Sequence, residues 1–219
     1  MKLQDSIQQE LFSKNRLQGY ADTQEHEQNL YLIAQITHKI GILEIIIRNK
    51  IDSLLTSHNP HWLEATDFKD DLQKHTRDAI ISRQSLGFWV KTADFHNIHA
   101  AIFHTGFLET LDFKKYYRKN KNRFNRTMNL RHYHKAKAIL LLLRLIRNRA
   151  FHFENLYKFV GNGYPRLNIQ IINKRNEGIY IAILPSKIID FLNDVLMGFH
   201  IDLVYYAENL NGNGGRGSA

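Results

Sequence analysis

The stretch Ile139-Leu140-Leu141-Leu142-Leu143-Arg144-Leu145-Ile146-Arg147-Asn148-Arg149-Ala150-Phe151-His152-Phe153-Glu154 decides how the chain is read. Its first half is apolar on nearly every side. At helical spacing this predicts a helix buried in a bundle or in an interface between subunits. Its second half, Arg147 to Glu154, gathers two arginines, an amide, an imidazole and a carboxylate. Arginine and histidine together can hold phosphate and move protons, the two needs of metal-free RNA cleavage. The plain alternative is a helix whose positive end complements its own dipole.

Successive residues on a regular helix are about 100° apart, so Arg147 and His152 differ by about 140° and share no face. Asn148 and His152, four apart, do share one, and Arg144 extends that row. Two arrangements answer this. Either the helix ends before His152 and the imidazole swings round, or two copies of the stretch converge across a two-fold axis. His152 then suits proton transfer at a ribose 2′-OH or a leaving 5′-oxygen. The planar fork of Arg147 suits the oxygens of a phosphorane. Asn148 is placed to fix the imidazole tautomer or a phosphate oxygen. Arg149 adds positive field, and Glu154 either orients a histidine or pairs with Arg149.

Upstream, Leu3, Ile7, Leu11 and Phe12 predict a short amphipathic helix, and Asp22 or Thr23 caps the next one. That helix runs from Thr23 to Ser57. Leu30, Ile33, Thr37, Ile40, Glu44, Ile47, Ile51 and Leu54 form its seam, widened by Ile36, Leu43 and Ile46. A carboxylate in such a seam needs a partner. Arg48, one turn on, and Arg147 are the two candidates for Glu44. Asn59-Pro60 stops the helix. Residues 68–85 read as a further helix, Leu86-Gly87-Phe88-Trp89-Val90 as an aromatic turn, and Thr92 or Asp94 to Leu111 as one more helix.

Residues 113–126 form the most basic window. Lys114, Lys115, Arg118, Lys119, Lys121, Arg123 and Arg126 alternate with Phe113, Tyr116, Tyr117 and Phe124. Cations there can neutralise phosphates, and the rings can stack on bases. A solvated, mobile connection fits the same composition. Beyond Gly161 to Pro165 the period changes to two. Leu167, Ile169 and Ile171, then Ile179, Ile181 and Ile183, predict a hairpin turning at Asn176-Glu177-Gly178. Pro185 opens a helix through Ile188, Ile189, Leu192, Val195 and Leu196. The expected organisation is a helical bundle over 1–158, a β-hairpin plus helix over 159–206 docked on it because a lone hairpin is unstable, and a disordered tail over 207–219.

The 219 residues are 43% hydrophobic, and 30 Lys+Arg against 21 Asp+Glu give a net charge of +9. That balance favours a polyanionic partner. Cysteine is absent, which excludes disulfides, thiolate metal sites and a cysteine nucleophile. Metalloprotease, P-loop and paired-aspartate metal motifs are missing. His96, His99 and His104 read as helix histidines without a ligand set, and His132 and His134 as part of a solvated or basic face. No metal and no cofactor is expected. The opening residues lack an apolar signal core and the run Ile139 to Ile146 is too short to span a bilayer, so a cytoplasmic, membrane-free protein is expected.

Arg147-Asn148-x-x-x-His152 matches the Arg-x4-6-His signature of HEPN domains (higher eukaryotes and prokaryotes nucleotide-binding). More narrowly, Arg147-Asn148-Arg149-x-x-His152-x-Glu154 resembles the Arg-Asn-Arg-x-x-His-His-Glu-Pro run of Abi-like abortive-infection proteins. Leu43-Glu44-Ile45-Ile46-Ile47-Arg48-Asn49 is similar to that family's Leu-Glu-x-x-x-Arg-Asn, and Leu86 to Val90 to its Phe-Gly-Phe-Trp turn. The likeness spans roughly residues 24–156. It implies a mainly α, HEPN-type bundle that dimerises with two Arg/His motifs in one cleft and cuts RNA without metal, as a toxin or phage-defence effector. It implies that Arg147 and His152 are the catalytic pair, Asn148 their polar neighbour and Glu44 a carboxylate close by. Phe153 and Asn155 depart from the family's second His and Pro.

RNA, a second copy of the chain, and an antitoxin or inhibitor are the expected partners. Arg144, Arg149, Lys119, Lys121 and Arg123 are the expected RNA contacts. The alternative is a non-catalytic HEPN-fold module that binds RNA or protein.

Overall fold

A computed structural model describes residues 5–68, 70–125, 128–161 and 163–212. Leu3, Arg126 and residues 213–219 lie outside them. The chain is mainly helical with one two-stranded antiparallel sheet. Helices α1 (Asp5–Phe12) and α2 (Lys14–Leu17) lead into α3 (Thr23–His58). Then come α4 (Arg77–Arg83), α5 (Leu86–Phe95), α6 (His99–Ile102), α7 (Thr105–Thr110) and α8 (His132–Phe151). Strands β1 (Asn168–Ile172) and β2 (Gly178–Ala182) precede α9 (Ile188–Met197) and α10 (Asp202–Gly212).

Helix α3 begins where Asp22 accepts the Glu25 N–H at 2.8 Å, an N-cap that satisfies one of the orphan donors of the first turn. Its buried line runs through Asn29, Ile33, Ile36, Ile40, Leu43, Ile47 and Ile51. Ile36 and Leu43, expected only to widen the face, are therefore its centre. Thr37 is exposed and Glu44 half-buried at its edge. By length and composition α3 could cross a bilayer, with a mean hydropathy of 1.6 over its most apolar window. In this fold its core face is closed by α5, α8 and α9.

Helix α8 is the other axis, packed against α3, α5, α6, α7 and β1. Ala138, Ile139, Leu140, Leu142 and Ile146 are fully buried. Each large aliphatic side chain among them contributes about 1.5–3 kcal/mol by leaving water.

The hairpin pairs Ile169 with Ile181 and Ile171 with Ile179. Asn173 closes its turn by accepting from the backbone N–H groups of Arg175 (2.9 Å) and Glu177 (3.0 Å). Ile171, Ile179 and Ile181, with Phe191 and Leu192 of α9, belong to the same apolar core as α3 and α8.

Several local expectations are overturned. Residues 86–90 are not a turn but the start of α5, capped by Ser85 and by Glu44, whose Oε1 accepts the Leu86 N–H at 2.8 Å. The segment expected as a helix over 68–85 is helical in the α sense only across Arg77–Arg83. The helix expected to run to Leu111 is broken at Asn97, which has φ 55°, and again at Phe103. His96, His99 and His104 therefore do not share a helix, and His99 is buried. Phe113, Tyr116, Tyr117 and Phe124 of the basic window are core residues, so their rings are not open to bases. Ile7, Leu11 and Phe12 of α1 are exposed. The tail expected to be disordered from 207 is helical as far as Gly212.

Candidate active site

The C-terminal end of α8 lies against α3 and the start of α5. Glu44 joins them. Its Oε1 takes the Leu86 N–H, and its Oε2 lies 3.4 Å from Arg147 Nε. Arg48 turns away, donating to Asn49 Oδ1 at 3.2 Å, so the tertiary partner prevails over the local one. The Arg147 guanidinium also sits over the Phe151 ring, 5.1 Å from its centroid, a favourable cation–π placement. Arg144 passes over Gly87, where a Cβ would meet its Cδ at 3.8 Å. The segments 43–49, 86–90 and 144–154 thus meet at one place.

Helix α8 ends at Phe151, with His152 as its cap (φ −94°, ψ 6°). The His152 N–H bonds the Asn148 carbonyl at 3.1 Å. Phe153 then takes the left-handed conformation, φ 51°, a helix ending that normally favours glycine. The end is clamped from outside. Arg16 donates to the carbonyls of His152 (3.1 Å) and Phe153 (2.9 Å). Asn29, fully buried on α3, donates to the Glu154 carbonyl at 3.2 Å and accepts the Leu156 N–H at 2.8 Å. Asn155 donates to Glu25 and to the Gly19 carbonyl, each at 2.8 Å. Asn155 is thus a buried polar anchor.

The imidazole of His152 is exposed and has no hydrogen-bond or ion-pair partner among the described residues. Asn148 is exposed on the same side. Within one chain, no hydrogen bond or ion pair joins the side chains of Arg147 and His152. Arg149, expected to reach RNA, is instead mostly covered and paired with Glu154 at 2.5 Å, which Arg166 also engages. Lys119, Lys121 and Arg123 are exposed but precede α8. The sixteen residues from Arg131 to Arg147 put about 24 Å of helix between the start of α8 and its Arg147 end, and Lys121 and Arg123 line a cleft with Asn129, just before that start. The structure therefore gathers Glu44, Arg144, Arg147, Asn148 and His152 and leaves the three loop cations apart.

Arg16, Asn29 and Arg166 were not singled out by the sequence, Phe151 entered only as part of the deciding stretch, and Asn155 only as a departure from a family pattern. Asn29 carried a usable signal, because it is a polar residue in register with Ile33, Ile36 and Ile40. Arg16 carried none. Among the described residues no cluster of three or more His, Asp or Glu side chains could hold a metal ion. No protein-family profile, curated protein or solved structure matches this chain.

Proposed function

We propose that the chain is a metal-independent endoribonuclease of the HEPN type, active as a homodimer in phage defence or as a toxin restrained by an antitoxin or inhibitor. The observation that carries this reading is the Glu44 carboxylate. It ties together three segments, 42 and 103 residues apart, that each resemble a motif of one family. In doing so it leaves His152 unpartnered at an exposed helix end.

One His152 takes the proton of the ribose 2′-OH, and that oxygen attacks the phosphorus. The bond from phosphorus to the 5′-oxygen breaks, and the His152 of a second copy protonates the leaving oxygen. Arg147, held by Glu44 and Phe151, meets the charge that builds on the phosphoryl oxygens. Asn148 orients an imidazole or a phosphate oxygen. The separation of Arg147 from His152 within one chain fits a cleft completed by a second copy. The hold of Glu44 on Arg147 is what favours the other reading, a module that binds RNA or protein without cutting.

Purified protein is expected to cleave single-stranded RNA in EDTA, leaving 2′,3′-cyclic phosphate and 5′-hydroxyl ends. His152→Ala should slow this by about a hundred- to ten-thousandfold without moving the thermal midpoint, since its ring has no partner to lose. A strict metal requirement would overturn the mechanism. RNA that is bound but never cut would leave the binding module.

A further inference from the structure

A second cationic surface lies at the other end of α8. A cleft of about 710 Å³ opens between the start of that helix and the turn of the β-hairpin. Arg131, Tyr133, His134, Asn173, Lys174 and Arg175 form its working walls, and none of its lining residues is acidic. Arg131, Lys174 and Arg175 are exposed, and their side chains form no ion pair or hydrogen bond with any described residue. The nearest acid of the hairpin turn, Glu177, is already occupied by Asn173 at 2.8 Å and by Asn125. A separate cleft of about 490 Å³ is lined by Lys114, Lys121 and Arg123.

The placement of these charges works against the fold. The first turn of α8 carries no acidic residue, its N-cap Arg131 has no acceptor in its side chain, and Lys135 donates to the carbonyls of Leu108 (2.7 Å) and Glu109 (3.1 Å). Cations at a helix N-terminus oppose its dipole, and like charges drawn from two separate elements repel across the cleft. Glu109 and Asp112 line a different cleft with Arg131 and Lys135, and no acid lines the one on the hairpin side. His134 accepts the Arg131 N–H on Nδ1 at 3.2 Å, so its neutral ring carries the proton on Nε2, a donor rather than an acceptor.

We propose that this cleft binds the phosphate backbone of single-stranded RNA, as a subsite distinct from the Arg147–His152 centre. Arg131, Lys174 and Arg175 neutralise phosphates, and Asn173 and His134 supply neutral polar contacts beside them. The ligand class rests on the ribonuclease reading, because a strand held here reaches the other end of α8. The axial distance of about 24 Å corresponds to about seven stacked nucleotides at ~3.4 Å each. A flexible strand can follow a curved positive surface of this kind. The site selects no sequence, and it makes the enzyme favour long strands over short ones.

The test uses His152→Ala protein, so that binding is read without cleavage. Fluorescence anisotropy follows a labelled 12-nucleotide RNA in EDTA across a salt series. Combining Arg131→Gln, Lys174→Gln and Arg175→Gln should weaken binding by about ten- to a hundredfold near 0.1 M salt. It should also lower the salt slope by about two, at ~0.7 per phosphate contact. A control with the same charge change, Arg83→Gln, Lys50→Gln and Lys91→Gln, should leave both nearly unchanged.

Equal weakening in the control would replace the cleft by net charge, and unchanged binding in the cleft variant would overturn the site. A trinucleotide should bind both proteins alike. If it loses affinity in the cleft variant as the 12-mer does, the cleft takes a small phosphate ligand and not a strand, which also overturns the proposal. A wild-type protein that cuts nothing while the cleft variant still loses RNA binding would sink the ribonuclease reading and keep the site. Cleavage with unchanged binding would do the reverse.

Discussion

The two ends of α8 carry similar charge and treat it in opposite ways. At the C-terminal end the arginines are tied down, Arg147 by Glu44 and Phe151, Arg149 by Glu154. Cations there also agree with the helix dipole. At the N-terminal end the side chain of Arg131 is unpaired, the first turn of the helix holds no acidic residue of its own, and two imidazoles are packed into the protein. His99 is buried against the Tyr133 ring, 4.8 Å between centroids, and His134 lies against Phe124 at the same distance. Positive charge that the fold satisfies internally holds shape. Positive charge that it leaves unsatisfied is open to a ligand. One helix thus holds the satisfied and the unsatisfied charge about 24 Å apart.

The contrast is open to attack at three points, beginning with the largest effect. Burial lowers the His99 pKa to about 4 from 6.5, and the Lys137 charge adds to the lowering while Asp94 opposes it. The unfolded chain therefore takes up this proton first as pH falls. The stability tied to a neutral His99 is complete above about pH 6.5 and is lost as pH drops toward 4, by about 3 kcal/mol in all. The pKa values of His26 and His134 are lowered in the same direction, mainly by burial. The midpoint of urea unfolding should fall between pH 7 and pH 4.5, and His99→Leu should make the decline shallower. A midpoint independent of pH would mean that the N-terminal end is not closed by neutral imidazoles.

Next comes Glu44, which serves the fold and the site together. Glu44→Ala removes the acceptor of the Leu86 N–H as well as the Arg147 partner and should cost about 1–3 kcal/mol. Glu44→Gln keeps an acceptor and should cost less, while still freeing Arg147. Equal losses in the two variants would show that the ion pair, not the cap on α5, is what Glu44 contributes. The smallest effect is at Arg16. Its clamp is exposed, so Arg16→Ala should lower stability by only about 1 kcal/mol or less. Amide exchange at Phe153 and Glu154 should nevertheless quicken. Unchanged exchange would assign the helix end to Asn29 and Asn155 alone.

Periodicity located α3 to within one residue at its C-terminal end, and it located the hairpin. A 36-residue amphipathic helix and two alternating isoleucine runs leave few other readings. It could not say which of two arginines Glu44 would choose, since that depends on how α3 and α8 pack. The start of α5 was misread because Leu86 to Val90 lacks helical periodicity, and part of its capping comes from Glu44 on another helix. The break at Asn97 has no proline to announce it. In the basic window, alternating rings and cations describe a bare strand on RNA as well as a loop pinned to a core by its aromatics. Only burial distinguishes them. Of the site, Arg147, Asn148, His152 and Glu44 were visible as residues. The clamps on the helix end were not, because their donors lie far away in sequence.

That remoteness has a consequence in time. The bonds that assemble the Arg147–His152 end join residues 103, 125, 127, 136 and 137 positions apart. Contacts of such range are made late, after the intervening chain has been ordered. A nascent chain lacks the site until the segment through Leu156 has emerged and docked on α3. A partly unfolded molecule carries every motif residue without the arrangement they form. Whatever the Arg147–His152 end does, it does only in the finished fold.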